Sequence, residues 1–208
     1  MNIEQLRNKL IVFEGQDSTG KSSVANLLNE HLNKNGIPSV FTFQPGDTAY
    51  GTHAVLMRSM CKDKRYNLHP LANFFAFQLD RVEQTAKVVV PALEEGKTVI
   101  SDRWNYSTYA YQLYGQQLIE KLNMPKEVAE WLLETAIISR KPDMVFYFPL
   151  KVIGNRHDDP NDNFDALGSD FFGRVHMAYE ELANRYNWIR VMPGTSAQDT
   201  LEKILAME

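Results

Sequence analysis

Five short apolar runs punctuate the chain: Leu10 to Glu14, Val40 to Phe43, Thr98 to Ser101, Met144 to Phe148 and Trp188 to Val191. Each is followed by polar or turn residues, the pattern of short buried strands. Between them the apolar spacing changes to three and four. Val24, Leu27, Leu28 and Leu32 form one helical face that ends at Gly36, with Pro38 just beyond, which are helix stop signals. His69-Pro70 opens a second helical segment carrying Leu71, Phe74, Phe75, Gln78 and Val82, with Pro70 suited to a first turn; Pro91 kinks this segment or starts a new one. Further helices are predicted over Lys126 to Ile138, with Val128, Trp131 and Leu132 on one stripe, over Asp170 to Tyr186, and over Ala197 to Met207. Strands alternating with helices predict an α/β fold, a parallel sheet covered on both faces. No repeat or linker interrupts the pattern, so one domain over residues 1–208 is expected. Gly154 to Ser169, rich in Asp, Asn and Gly, is expected to be a mobile surface loop.

Composition narrows the function classes. With 44% hydrophobic residues, 11 Phe and 9 Tyr in 208 residues, the chain has ample material for one core. A formal net charge of -4 with 23% charged residues gives no broad basic surface, so no nucleic-acid partner and no membrane partner is expected. The single Cys61 cannot form an intrachain disulfide, and Met1-Asn2-Ile3-Glu4-Gln5 lacks the basic start and apolar stretch of a secretion signal, which predicts a soluble, cytoplasmic protein. No apolar run approaches the roughly 20 residues of a membrane span.

Gly15-Gln16-Asp17-Ser18-Thr19-Gly20-Lys21-Ser22 matches G-x-x-x-x-G-K-[ST] at every fixed position and runs through Ser23 into the first helix. Placement between a strand and an amphipathic helix is what the chemistry needs. Main-chain N–H groups of the loop and of the helix start converge on phosphate oxygens, and glycines permit the close approach. Lys21 would then contact the β and γ phosphates of ATP, and the Ser22 hydroxyl would ligate a magnesium ion, Mg2+. A second cluster, Ser101-Asp102-Arg103-Trp104, puts a carboxylate and a guanidinium at the carboxyl edge of the sheet, where ligands bind in such folds. Asp102 could hold the metal or its waters, and Arg103 could grip a phosphate with two parallel hydrogen bonds; a plain ion pair is the alternative.

Beyond the loop the sequence resembles the thymidylate kinase family of nucleoside monophosphate kinases. Leu68-His69-Pro70-Leu71-Ala72 through Phe77-Gln78-Leu79-Asp80-Arg81, Val90-Pro91-Ala92-Leu93-Glu94-Glu95-Gly96-Lys97, Ser101-Asp102-Arg103-Trp104 and Ser107-Thr108-Tyr109-Ala110-Tyr111-Gln112 follow its pattern in order and spacing. Pro45-Gly46, Lys141-Pro142-Asp143 and Asp170-Phe171-Phe172 extend the likeness over nearly the whole chain. The resemblance implies a P-loop NTPase fold, with a five-stranded parallel sheet, helices on both faces and a short lid at about 154–169. It implies ATP as phosphoryl donor, thymidylate as acceptor and a homodimer. Residue by residue, it implies that Phe77 stacks on thymine, Arg81 reads a base carbonyl, Asp17 approaches the acceptor's sugar and phosphate, and Thr108 contacts the base. Tyr111 crowds the ribose 2′ position, and Gln112 lies beside them. Without the resemblance, Phe77 and the tyrosines are ordinary core candidates.

Some positions depart from the pattern. The family's catalytic arginine sits in the phosphate loop or the lid, but Ser18 holds the first place and Asn163, in Asp162-Asn163-Phe164-Asp165, holds the second; Arg156 is the nearest lid candidate. Phe43-Gln44-Pro45-Gly46-Asp47 lacks the arginine usual beside the proline, which would leave Arg103 with more of the acceptor phosphate. These departures allow deoxyuridylate or a modified pyrimidine as acceptor. His157-Asp158-Asp159-Pro160-Asn161-Asp162 is no calcium loop, because Phe164 stands where glycine must turn the chain and Asp170 replaces the bidentate glutamate. The five histidines show no zinc spacing. A nucleotide switch or regulatory ATPase is the rival class, without the Asn-Lys-x-Asp element of guanine readers; a nucleoside kinase is the nearer chemical alternative.

Overall fold

The computed structural model describes residues 2–149, 164 and 167–207. Five parallel strands, β1 (Leu10–Gly15), β2 (Ser39–Phe43), β3 (Thr98–Asp102), β4 (Met144–Phe148) and β5 (Ile189–Arg190), lie in the order β2-β3-β1-β4-β5. All five predicted strands are present, with ends within a residue or two. β1 is central: Leu10 to Phe13 pair with Val99 to Asp102, and Ile11 to Gly15 with Met144 to Phe148. Buried on both sides, its residues divide by parity. Ile11 and Phe13 pack under α1 (Lys21–Lys34) and α9 (Ala197–Leu205), with Leu28, Leu32, Leu201 and Ile204. Leu10 and Val12 face a second core built with Phe74, Leu133, Phe171 and Tyr179. Glu14 follows the parity of Val12 and is fully buried, an ionisable group in an otherwise apolar strand.

The second face carries α3 (Pro70–Gln84), α4 (Val90–Glu94), α5 (Asn105–Thr108), α7 (Lys126–Ala136) and α8 (Gly168–Arg185); α2 (Ala54–Lys62) packs on α3, and α6 (Leu118–Lys121) is a single turn. Of the two outcomes expected at Pro91, the second holds: α3 passes into a wide π turn, Thr85–Val89, and α4 begins one residue before the proline. A second π stretch, Tyr109–Gly115, continues α5. Single π turns inside helices mark functional sites often enough to be informative, and this one carries Tyr111 and Gln112.

Two predicted stripes are divided between inside and outside, with Leu71 of α3 and Leu132 of α7 partly buried against the second core. On α7 the buried residues are Ala129, Leu133 and Ala136, while Val128 and Trp131 face outward, Trp131 at 63% exposure. On α3 Phe74 and Gln78 are buried but Phe75, Leu79 and Val82 are exposed. The reason for the α3 result is polar: Asp80, Arg81 and Gln84 are buried because loop and strand partners satisfy them, which turns part of the apolar face outward.

Candidate active site

The carboxyl edges of β1 and β3 set the site. Gly15 has φ +143, and a Cβ there would lie 2.5 Å from the Phe148 carbonyl oxygen of neighbouring β4, so only glycine allows the chain to leave the sheet here. Gly20, with φ +84, is the left-handed cap before α1. The Thr19 hydroxyl donates to the Gln16 carbonyl at 2.9 Å and closes the loop. The Gln16 side chain turns away, its Nε2 donating to the Phe172 carbonyl of α8 at 2.9 Å. The loop thus offers main-chain N–H groups and the start of α1, a ready anion site.

Lys21 is only 4% exposed, with Nζ 3.7 Å from Asp102 Oδ1 and 3.9 Å from Asp17 Oδ1. Burial depresses its pKa and nearby Arg103 adds to that, against the pull of Asp102, Asp17 and Glu14. Ser22 Oγ donates to Asp102 Oδ2; Asp102 Oδ1 is buried and accepts no hydrogen bond among the described residues.

Arg103 follows Asp102 and bends back at φ +76. Its Nη2 donates to Asp17 Oδ1 at 2.6 Å and to the Tyr111 hydroxyl at 3.4 Å, and its Nη1 donates to Ser107 Oγ at 2.9 Å and to the Tyr179 hydroxyl at 3.1 Å. The guanidinium carbon lies 5.0 Å from the Tyr111 ring centre, a cation–π distance. Burial raises Asp17's pKa, but Arg103 and Lys21 overcome this and hold it well below the usual carboxylate range. Arg103 is correspondingly raised by Asp17, Tyr111 and Tyr179 despite its own burial.

Deeper in the same cavity, of about 320 Å³, stand Phe77, Arg81, Thr108, Tyr111 and Gln112 with Lys21, Asp102 and Arg103. Arg81 is 1% exposed, and its Nη1 donates to Gln44 Oε1 and its Nη2 to Thr108 Oγ1 at 2.9 Å. Burial lowers its pKa to about 10, so it is charged at neutral pH. Its Nε and the Gln112 Nε2 are buried without a partner among the described residues. Phe77 is half-buried with its ring centre 6.0 Å from that of Phe164.

A family model described as thymidylate kinase matches residues 13–204. The chain belongs to the thymidylate kinase family. It is 34% identical over 196 residues to the thymidylate kinase of Neorickettsia sennetsu, covering 94% of this chain and 91% of that one. It is 35% identical over 208 residues to that of Gloeobacter violaceus, covering 93% and 91%. The crystal structure of thymidylate kinase from Ehrlichia chaffeensis superposes with a TM-score of 0.72 at 23% identity, covering 95% and 96%, a likeness of fold.

Against the thymidylate kinase pattern, the structure brings Asp17, Lys21, Ser22, Phe77, Arg81, Asp102, Arg103, Thr108, Tyr111 and Gln112 to one cavity. Arg156, Asn163 and most of the expected lid lie outside the described residues. Four contributors are new. Arg58 and Lys62 on α2 line the cavity, so Arg103 is not alone in facing it as a cation. Gln44 bridges Arg81 and Gln84, and Phe164 is buried among Phe77, Tyr111 and Phe171. Arg58 and Lys62 are four apart, a spacing that shares a helix face, but only the loop fold turns that face inward.

Proposed function

We propose that this chain transfers the γ-phosphoryl group of ATP to thymidylate, giving the diphosphate. The observation that carries the reading is the single cavity joining a phosphate loop with Lys21 to a guanidinium, Arg103, and a ring and arginine, Phe77 and Arg81. The ATP phosphates lie along the main-chain N–H groups of Gly15 to Ser23. The acceptor's phosphate lies at Arg103 with Arg58, its base against Phe77. Arg81 and Gln112 Nε2 present donors, which suit a carbonyl oxygen of thymine or uracil and oppose the amino group of cytosine. Tyr111 packs at the sugar, and Asp17 ties Arg103 and Tyr111 together. No covalent intermediate is required; positioning and charge neutralisation by Lys21 and Arg103 lower the barrier.

Ser22 and Asp102 fit a magnesium ion: a hydroxyl and a carboxylate are hard oxygen donors, and the buried Asp102 Oδ1 lacks a hydrogen-bond donor. When bound, the ion would neutralise charge on the phosphates beside Ser22 and Asp102. Among the described residues no group of three or more His, Cys, Asp or Glu could hold a metal, so nucleotide phosphates and water would complete its shell.

ATP turnover with thymidylate, deoxyuridylate, deoxycytidylate, thymidine or no acceptor tests the reading. Thymidylate is expected to be fastest, with deoxycytidylate ~100-fold or more below it in kcat/KM, as for a donor facing the wrong edge group. ATP hydrolysis at full rate without acceptor indicates a switch instead, and turnover of thymidine over thymidylate indicates a nucleoside kinase.

The outward stripe of α3, Phe75, Leu79 and Val82, with Val55 and Leu56 of α2 and Val128 and Trp131 of α7, supports a homodimer, since exposed apolar groups on packed neighbouring helices mark interaction surfaces. Leu79→Asp is expected to convert a dimeric mass to a monomeric one in sedimentation equilibrium; a monomeric parent protein refutes the assignment. Among the described residues no helix is long and apolar enough to cross a membrane.

A further inference from the structure

Glu14 does not line the cavity, yet every group it binds belongs to the support of Arg103. Its Oε1 accepts the backbone N–H of Trp104 at 2.8 Å and of Ser107 at 3.2 Å. Its Oε2 accepts the Ser107 hydroxyl at 2.7 Å and the Tyr179 hydroxyl at 3.0 Å. These are the two hydroxyls whose oxygens receive Arg103 Nη1. The hydroxyls also lie 2.8 Å from each other, so each proton has the carboxylate or the other oxygen to go to, and an ionised carboxylate draws both. A hydroxyl has one proton and two lone pairs; with its proton turned to Glu14, each keeps a lone pair for the guanidinium, which only donates.

The backbone contacts matter as much. Trp104 and Ser107 lie just after Arg103, whose φ of +76 is a left-handed conformation for a residue with a Cβ, and such strain persists only where surroundings over-determine it. Glu14 clamps that turn from inside the core.

We infer that Glu14 is a positioning residue for Arg103, fixing both the turn that presents the guanidinium and the direction of the two hydroxyls that hold one of its nitrogens. The inference rests on the proposed role of Arg103 at the acceptor's phosphate. Burial raises the Glu14 pKa, while Arg103 and the Ser107 and Trp104 donors oppose that rise, as they must for a carboxylate receiving four donors.

A double-mutant cycle tests it. Glu14→Gln keeps the shape but puts an amide NH2 among groups that already donate. It is expected to lower kcat/KM for thymidylate by ~30-fold, the effect of a mis-set charged hydrogen bond, while the ATP Kd changes less than twofold. In an Arg103→Ala background the same change is expected to cost less than twofold more. Equal losses in both backgrounds, or parallel loss of ATP binding, overturn the inference and leave a merely structural carboxylate. If Glu14→Gln fails to fold, Tyr179→Phe and Ser107→Ala each remove one link with Glu14 in place and are held to the same criterion. If Arg103→Ala itself leaves acceptor kinetics intact, the failure belongs to the proposed site and not to Glu14.

Discussion

Lys21→Ala is expected to lower kcat for thymidylate phosphorylation at least ~1,000-fold, the upper end of what removing one preorganised donor to a developing charge costs. Two effects combine to put it there. The variant loses the ammonium at the head of α1, buried in a cavity where charges interact more strongly than in water. It also leaves Asp17 and Asp102, 3.9 and 3.7 Å from that ammonium, to face the incoming phosphates without it. The fold should tolerate the change. Because burial depresses the pKa of Lys21, its charged form is disfavoured in the folded state, so the charge itself contributes no stability at neutral pH and becomes less costly only as pH rises through the depressed value. A melting temperature within a few degrees of the parent, beside the collapse in a coupled ATP-consumption assay, is therefore the expected pair of results. Near-normal turnover in a folded variant refutes the phosphate-loop assignment.

Why Lys21 was visible in the sequence and Glu14 was not is a matter of range. The phosphate loop is local: its glycines, lysine and serine lie within eight consecutive positions, and the backbone geometry they serve is their own. Strand positions were legible for the same reason, since each short apolar run ends in residues that turn the chain. Arg81 gains its partner Gln44 from 37 residues away, and Glu14 meets Trp104 and Tyr179 from 90 and 165 away. No local pattern encodes those meetings. One signal did exist: a glutamate inside an apolar run predicted to be buried must find donors, and the parity of β1 says on which face. Helical faces were legible in spacing but not in direction. Val128 and Trp131 make a regular stripe, yet the small Ala129 and Ala136 with Leu133 permit the closer approach to the core, and periodicity alone does not say which of two apolar faces has a partner. The π stretch Tyr109–Gly115 was hidden too, since it shifts Tyr111 and Gln112 around the helix by an amount no 3.6-residue pattern anticipates.

Arg103→Ala is expected to lower kcat/KM for thymidylate ~1,000-fold while leaving the ATP Kd within about threefold. A guanidinium gripping phosphate by two charge-assisted hydrogen bonds, each contributing ~1.5–3 kcal/mol, accounts for two to four decades at 1.36 kcal/mol per decade. The acceptor suffers further because Asp17 loses the 2.6 Å ion pair that neutralises it and then repels the monophosphate. Stability should fall as well, with a pH dependence of known sign. Asp17's folded pKa is depressed by Arg103 and Lys21 against its burial, so its contribution is fully present above the unfolded value of about 3.9 and disappears as pH drops through the folded one. The Glu14 pKa is raised by burial and restrained by Arg103; without Arg103 it rises further, so that protonation relieves the buried charge in the variant sooner on acidification. Both shifts act in the same direction. The difference in melting temperature between parent and variant should be widest at neutral pH and narrow on acidification, the Asp17 share persisting to about pH 4 and fading only below it, as calorimetry across that range would show. Arg103→Lys then separates charge from shape: an ammonium preserves the neutralisation of Asp17 but cannot span Asp17, Ser107, Tyr111 and Tyr179 from one planar fork. It should therefore recover most of the stability and only part of the rate. Equal rescue of both would mean that charge alone is needed at this position, and that the turn held by Glu14 serves no geometric purpose.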